Sequence, residues 1–268
     1  MPTVDFNKQL WDGKYNWSAQ GDDWSRAWGT PSMQWHGSLL PRISKFVPAG
    51  TILEIACGYG RWTHYLKDLC EKLVLVDLSQ ECIDACKQRF SASSNIAYHV
   101  NDGMSLSMAP DASVDFVFSY DSLVHVDETV MRAYIRELGR ILRPGGAASL
   151  HHSNLGEYRN AFHQTFYRNG RPLWGIGDAL AGLGVLDKKL HMRDWSVDAA
   201  KIRGLAEESG MRCASQEIIP WVKGRMLIDC MSTIVKDGSA GEANRILRNR
   251  KFNSEIRNLR RLSEVYAD

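Results

Sequence analysis

The sequence predicts an α/β protein built on a doubly wound, mostly parallel sheet. Short apolar runs alternate with helix-forming stretches from about residue 51 to residue 151. The first of these runs opens directly onto a glycine turn, Ala56-Cys57-Gly58-Tyr59-Gly60, as a parallel strand does before its helix. Two late runs, Arg212 to Ile219 and Met226 to Val235, are joined by Lys223-Gly224-Arg225. That link is too tight for a crossover helix, so the two should pair antiparallel.

Each element follows in order. Residues 1–34 are polar and rich in tryptophan (Trp11, Trp17, Trp24, Trp28), with Gly13, Gly21, Gly29 and Pro31 breaking any long helix. They read as an N-terminal arm or lid. A helix from Met33 to Phe46 ends at Val47-Pro48-Ala49-Gly50. Strands are expected over 51–56, 72–77, 96–100, 114–119 and 147–151, with helices over 60–69, 80–90 and 129–142 between them. Residues 154–196 break this rhythm with six glycines and a proline from Gly156 to Gly184, and read as an insertion over the carboxyl edge of the sheet. A helix from Val197 stops at Gly210. The main domain is thus placed at 35–240, and 241–268 is read as an amphipathic C-terminal helix carrying Ile246, Leu247, Phe252, Ile256, Leu259 and Leu262.

Composition bounds the function. A chain of 268 residues can bury one large core, and a net charge of +2 implies no general grip on nucleic acid. The six cysteines show neither CxxC spacing nor the density of a secreted scaffold, which fits free thiols in a reducing compartment. The start lacks a basic segment followed by an apolar one, and no apolar run approaches the ~20 residues of a membrane span. A cytoplasmic protein without a membrane or nucleic-acid partner is the expectation. The arginine-rich tail is interleaved with acids, so it should pack on the body or form a homodimer contact, for which the N-terminal arm is the other candidate.

The chemistry concentrates at the strand ends. Glu54 puts a carboxylate at the mouth of the first strand, and Gly58 and Gly60 let a ligand approach the backbone. Asp77, ending Leu73-Val74-Leu75-Val76-Asp77, is spaced as an acceptor for ribose hydroxyls, while Ser79 is placed to cap the next helix. These features describe half of a nucleoside-cofactor site.

From about Trp35 to Val235 the chain resembles the class I S-adenosylmethionine-dependent methyltransferases. Leu53-Glu54-Ile55-Ala56-Cys57-Gly58-Tyr59-Gly60 is similar to that family's first motif, with Ala56 where a glycine is usual. Asp77, the loop Asn101-Asp102-Gly103 and the turn Leu142-Arg143-Pro144-Gly145-Gly146 match later motifs in order. The resemblance implies a Rossmann-like seven-stranded sheet, five parallel strands plus an antiparallel terminal pair, with a lid after the fifth. It implies S-adenosyl-L-methionine as cofactor, held by Glu54, Ala56, Gly58, Gly60, Asp77, Leu78, Asp102, Gly103 and Ser119. The rival is a nicotinamide-dinucleotide oxidoreductase, but its third fingerprint glycine is replaced by Thr63, and Glu54 would repel a pyrophosphate.

The acceptor is less defined. A hydroxyl acceptor needs a base near the methyl group, worth on the order of 10²–10⁴-fold. The segments after the fourth and fifth strands supply Asp121, His125, His151 and His152. Side chains alternate along a strand, so only one of His151 and His152 faces the cleft, and His152, nearer the strand end, is the expected base. His125 is the second candidate, with Asp121 orienting a histidine. A divalent metal on Asp121, His151, His152 and Asn154 is the sharper alternative, although the aspartate-asparagine pair of the metal-dependent O-methyltransferases is missing, and no metal is assigned. Aromatic residues of the arm and of the insertion (Tyr158, Phe162, Phe166, Tyr167, Trp174) suit the C–H faces of a sugar ring. The expected reaction is O-methylation of a sugar or small polyhydroxylated metabolite, with N-methylation of a small amine as the alternative.

Overall fold

The computed structural model of the protein describes residues 3–159, 190–237 and 244–266, with isolated positions between 160 and 189. The sheet contains β1 (Ala49–Ile55), β2 (Cys70–Asp77), β3 (Ile96–Val100), β4 (Val114–Ser119), β5 (Leu142–Ser153), β6 (Arg212–Ile219), β7 (Asp229–Val235) and β8 (Arg245–Arg248). Their order across the sheet is β8-β6-β7-β5-β4-β1-β2-β3. The first five strands are parallel, and β7 runs antiparallel between β5 and β6. Ile52, Leu53, Leu73, Leu75, Val117 and Leu150 are buried because both faces of these strands are covered.

Helices cover the two faces. On one lie α5 (Glu128–Ile141) and α6 (Ala199–Glu208), whose Met131, Ile135, Leu138, Ile202 and Leu205 pack on β1, β4 and β5. The other carries α2, a helical run from Pro31–Gln34 through a π-helical turn Trp35–Leu39 to Leu40–Ile43. It also carries α3 (Thr63–Leu66) and α4 (Gln80–Arg89). Ser79 caps α4 as expected, its Oγ accepting from the Cys82 N–H at 3.1 Å. In the arm, α1 (Val4–Trp11) is tied to the body where Asn7 Nδ2 donates to the His125 carbonyl at 3.0 Å.

The sheet has eight strands rather than seven. The eighth comes from the tail, where a continuous helix is expected: Arg245–Arg248 instead pairs parallel with β6, and α7 begins only at Phe252. The edge of β6 offers free N–H and C=O groups, and that ladder outweighs a helical period carried here by only four residues, two of them arginine. The apolar face of α7 survives, with Phe252 and Ile256 buried against Trp28. Among the described residues, no helix is long and apolar enough to cross a membrane. Phe162, Phe166, Trp174 and the side chain of Tyr167 lie outside the described residues.

Candidate active site

A crevice opens at the carboxyl ends of β1, β2 and β4, under the N-terminal arm. Its floor is the turn after β1, where Ala56 (φ +58°), Gly58 (φ +53°) and Gly60 (φ +83°) are all left-handed. Alanine at position 56 therefore holds the conformation a glycine would take, with its side chain partly buried. Gly58 leaves room for the arm: a Cβ there would lie 3.2 Å from the Trp17 ring, which stacks on Tyr59 at 4.5 Å and 5°. Gly60 does something else. A Cβ there would stand 2.4 Å from the Phe90 ring, so this glycine seats α4 against the turn.

Asp77 stands at the crevice wall with Leu78 and Gly103. Its Oδ2 accepts from the Gly58 N–H and its Oδ1 from the Ser79 N–H, both at 2.9 Å. Burial pushes its carboxyl up to about 6 against those donors, and each oxygen keeps a lone pair for a further hydroxyl. The apolar walls between Val4, Leu78, Val126, Val130 and Tyr134 suit a flat purine. These residues fit adenosylmethionine: Asp77 would hold the ribose, the Ala56–Gly58 turn would pass close to its tail, and no phosphate has to be accommodated.

Several expected ligands lie elsewhere. Glu54 sits behind the turn, 2% exposed, accepting from Thr63 Oγ1 at 2.6 Å. Burial pushes its carboxyl up to about 8, so it secures the start of α3 and is no fixed counter-charge for a sulfonium. Asp102 is exposed, its Oδ1 accepting the N–H groups of Met104 and Ser105, which is the chemistry of a turn. Ser119 Oγ donates to the Ile55 carbonyl at 3.0 Å and ties β4 to β1.

Neither histidine of the expected pair lines the crevice. His152 is fully buried, with Nδ1 2.8 Å from the Ser153 carbonyl and Nε2 2.8 Å from Ser232 Oγ. Both nitrogens are engaged away from the crevice. His151 lies on the α2 face of the sheet with Phe118 and Tyr120, behind the crevice wall, and its ring stacks on Tyr120 at 4.4 Å. Its Nδ1 accepts the Asp121 N–H at 3.1 Å, and Nε2 lies 3.4 Å from Asp229 Oδ2 without hydrogen-bond geometry. Asn154 is bonded to Leu227, Glu157 and Ala199, so the four residues considered for a metal do not converge.

His125 and Asp121 both line the crevice. Burial, reinforced by the Arg193 charge, pushes the His125 imidazole down to about 4, and its Nδ1 lies 3.5 Å from the Met192 carbonyl. Asp121 Oδ2 pairs with Arg61 Nη2 at 3.0 Å, with both side chains buried. Trp24 and Trp62 lie 5.3 and 4.4 Å from the Arg61 guanidinium. Behind them, Arg193 forks onto both oxygens of Asp229 at 2.9 and 2.8 Å. Arg61, Trp62, Tyr120, Ser122, Arg193 and Asp229 were not singled out as site residues in the sequence. Arg61 and Trp62 at least follow the glycine turn directly, whereas Arg193 and Asp229 meet only through the fold.

Comparison with known proteins agrees with this geometry. Residues 52–146 match a family model described as a methyltransferase domain. Nodulation protein S of Rhizobium tropici is 28% identical over 145 residues, 53% of this chain and 58% of that one. Malonyl-[acyl-carrier protein] O-methyltransferase of Hahella chejuensis is 34% identical over 132 residues, 47% and 46% of the two chains. The match thus spans about half the length of each relative. Among solved structures, a SAM-dependent methyltransferase from Methanosarcina mazei superposes with a TM-score of 0.54 at 17% identity, over 74% of this chain and 98% of that one. One from Mesorhizobium loti gives 0.52 at 16%, over 76% and 97%. The sheet order, the turn after β1 and the acidic end of β2 are those of the fold of these S-adenosylmethionine-dependent methyltransferases, and residues 52–146 match their methyltransferase domain, which makes S-adenosylmethionine the cofactor.

Proposed function

We propose that the whole protein transfers a methyl group to a hydroxyl of a sugar or other small polyhydroxylated metabolite. The observation that carries this reading is the make-up of the crevice beyond Asp77: Trp11, Trp24 and Trp62 surround the buried Arg61–Asp121 pair beside His125. Aromatic faces take C–H surfaces, and a paired carboxylate and guanidinium take hydroxyls without attracting a net charge. That the matched relative from Hahella chejuensis is named an O-methyltransferase supports attack by oxygen.

The bound cofactor supplies the activated methyl group. The chain's part is to orient the acceptor, exclude water and take one proton. His125 is the base in this reading, replacing His152. A carbonyl only accepts, so Met192 favours the tautomer with the proton on Nδ1, leaving Nε2 to receive the hydroxyl proton. Asp121 and Arg61, beside His125, position the acceptor. A mass-shift screen of neutral sugars, polyols and small amines with labelled adenosylmethionine tests the proposal. Methylated sugar or polyol is expected, and methylation of amines alone would overturn it.

A further inference from the structure

A second cavity, of about 260 Å³, lies on the α2 face of the sheet, separate from the crevice except for one shared wall, Tyr120. Its floor is a row set by strand register: Phe118 pairs with Ser149, Ser149 with Thr233, and Thr233 with Ser215. Three hydroxyls thus stand side by side across β5, β7 and β6, where an α/β sheet ordinarily presents branched apolar side chains to a helix. These hydroxyls make no hydrogen bond to another described residue, and their residues are only half-buried. Tyr120 is 5% exposed, and its hydroxyl is buried without a partner.

Apolar surface flanks the space, from Leu39 and Ile43 of α2 and from the half-exposed Ile246 and Leu247 of the edge strand. At the rim, Arg42 and Arg245 stand against Glu217 and Glu255, so the formal charges sum to zero. Arg42 donates to both oxygens of Glu217 and both of Glu255, at 2.7–2.9 Å. An ion would find no net counter-charge there, and a purely apolar ligand would strand four hydroxyls. The volume lies at the small end of ligand sites.

We propose that this cavity is a second binding site, for a neutral, hydroxyl-bearing molecule of monosaccharide size held by Ser149, Thr233, Ser215 and Tyr120. It is distinct from the acceptor position in the crevice, and it stands or falls separately from the acceptor chemistry.

Ligand-observed saturation transfer on the full chain tests it, with glycerol, D-xylose, D-glucose and myo-inositol as probes. Saturable binding of at least one probe is expected. Removing two hydroxyls without changing shape, in Ser149→Ala with Thr233→Val, should weaken it roughly tenfold, the loss of about two neutral hydrogen bonds. Asp77→Ala, in the crevice, should leave it unchanged. Thr233→Leu fills the cavity and should abolish binding while the protein stays folded by circular dichroism. No binding of any probe, binding unaltered in the double variant or in folded Thr233→Leu, or loss in Asp77→Ala would each overturn the proposal.

Discussion

The backbone N–H of Asp121 donates to Nδ1 of His151 at 3.1 Å, and Asp121 is held at φ +66°. A left-handed aspartate at a strand end costs on the order of 1–3 kcal/mol and persists only where its surroundings fix it. His151 fixes the backbone and Arg61 fixes the carboxylate. His151 therefore holds the Asp121 corner of the crevice wall, and its Nδ1 is occupied. His151→Ala should strand a buried N–H and lose the Tyr120 stack, lowering stability by about 2–4 kcal/mol in denaturant titration. Asp121→Ala should cost about 3–5 kcal/mol, because it leaves Arg61 buried and unpaired. A stability loss within 0.5 kcal/mol of zero in both would refute this account of the wall.

Asp77 offers a direct test of cofactor binding. Asp77→Ala removes a charged acceptor for ribose hydroxyls and should weaken adenosylmethionine binding by about 1.5–3 kcal/mol by calorimetry. Because burial raises the Asp77 pKa to about 6, affinity should also fall as pH drops below that value, when the carboxyl takes a proton. Affinity flat from pH 7.5 to 5 would mean that Asp77 does not meet the ribose as an anion.

The parallel strands and the turn after β1 were legible because both are local: period, glycine and chain reversal lie within a few residues of one another. Asp77 was legible for the same reason. What sequence did not give was orientation. Which sheet face His151 and His152 each take, and that neither reaches the crevice, depends on the register of β5 with β4 and β7, set by residues far away in the chain. Glu54 was misplaced similarly, since its partner Thr63 reads as part of the next helix. The eighth strand was hidden because Arg245–Arg248 carries little pattern of its own and is recruited by the edge of β6.

Glu54 gives a pH signature of its own. Its folded pKa, raised to about 8 from an ordinary 4.5, means that the native state binds the proton more tightly than the unfolded chain. Its contribution is fully present below pH 4.5 and is lost as pH rises through about 8. Wild-type stability should therefore decline from neutral pH to pH 9 through this group. Glu54→Gln keeps a partner for Thr63 without a titrating proton, and should flatten that slope by on the order of 1 kcal/mol or more. Parallel stability curves for the two proteins over pH 6–9 would exclude this role.

His125 carries the catalytic reading, and its environment makes the expectation sharp. An ordinary histidine base would lose activity as pH falls through about 6.5. Burial and the Arg193 charge push His125 down to about 4, so the imidazole stays neutral across that range and Nε2 remains free to accept. The acid limb of kcat should therefore lie well below pH 6, to the extent that the protein stays folded. The same depression works on stability in the opposite sense to Glu54. The unfolded histidine takes up a proton below about 6.5 while the folded one does not, so His125 favours folding above that pH and the benefit is lost as pH falls toward 4. Arg193→Met removes the repelling charge and should raise the acid limb, whereas His125→Ala should lower kcat by about 10²–10⁴-fold with adenosylmethionine affinity nearly unchanged. An acid limb near pH 6.5 in the wild type, together with a His125→Ala loss below tenfold, would move the base away from His125.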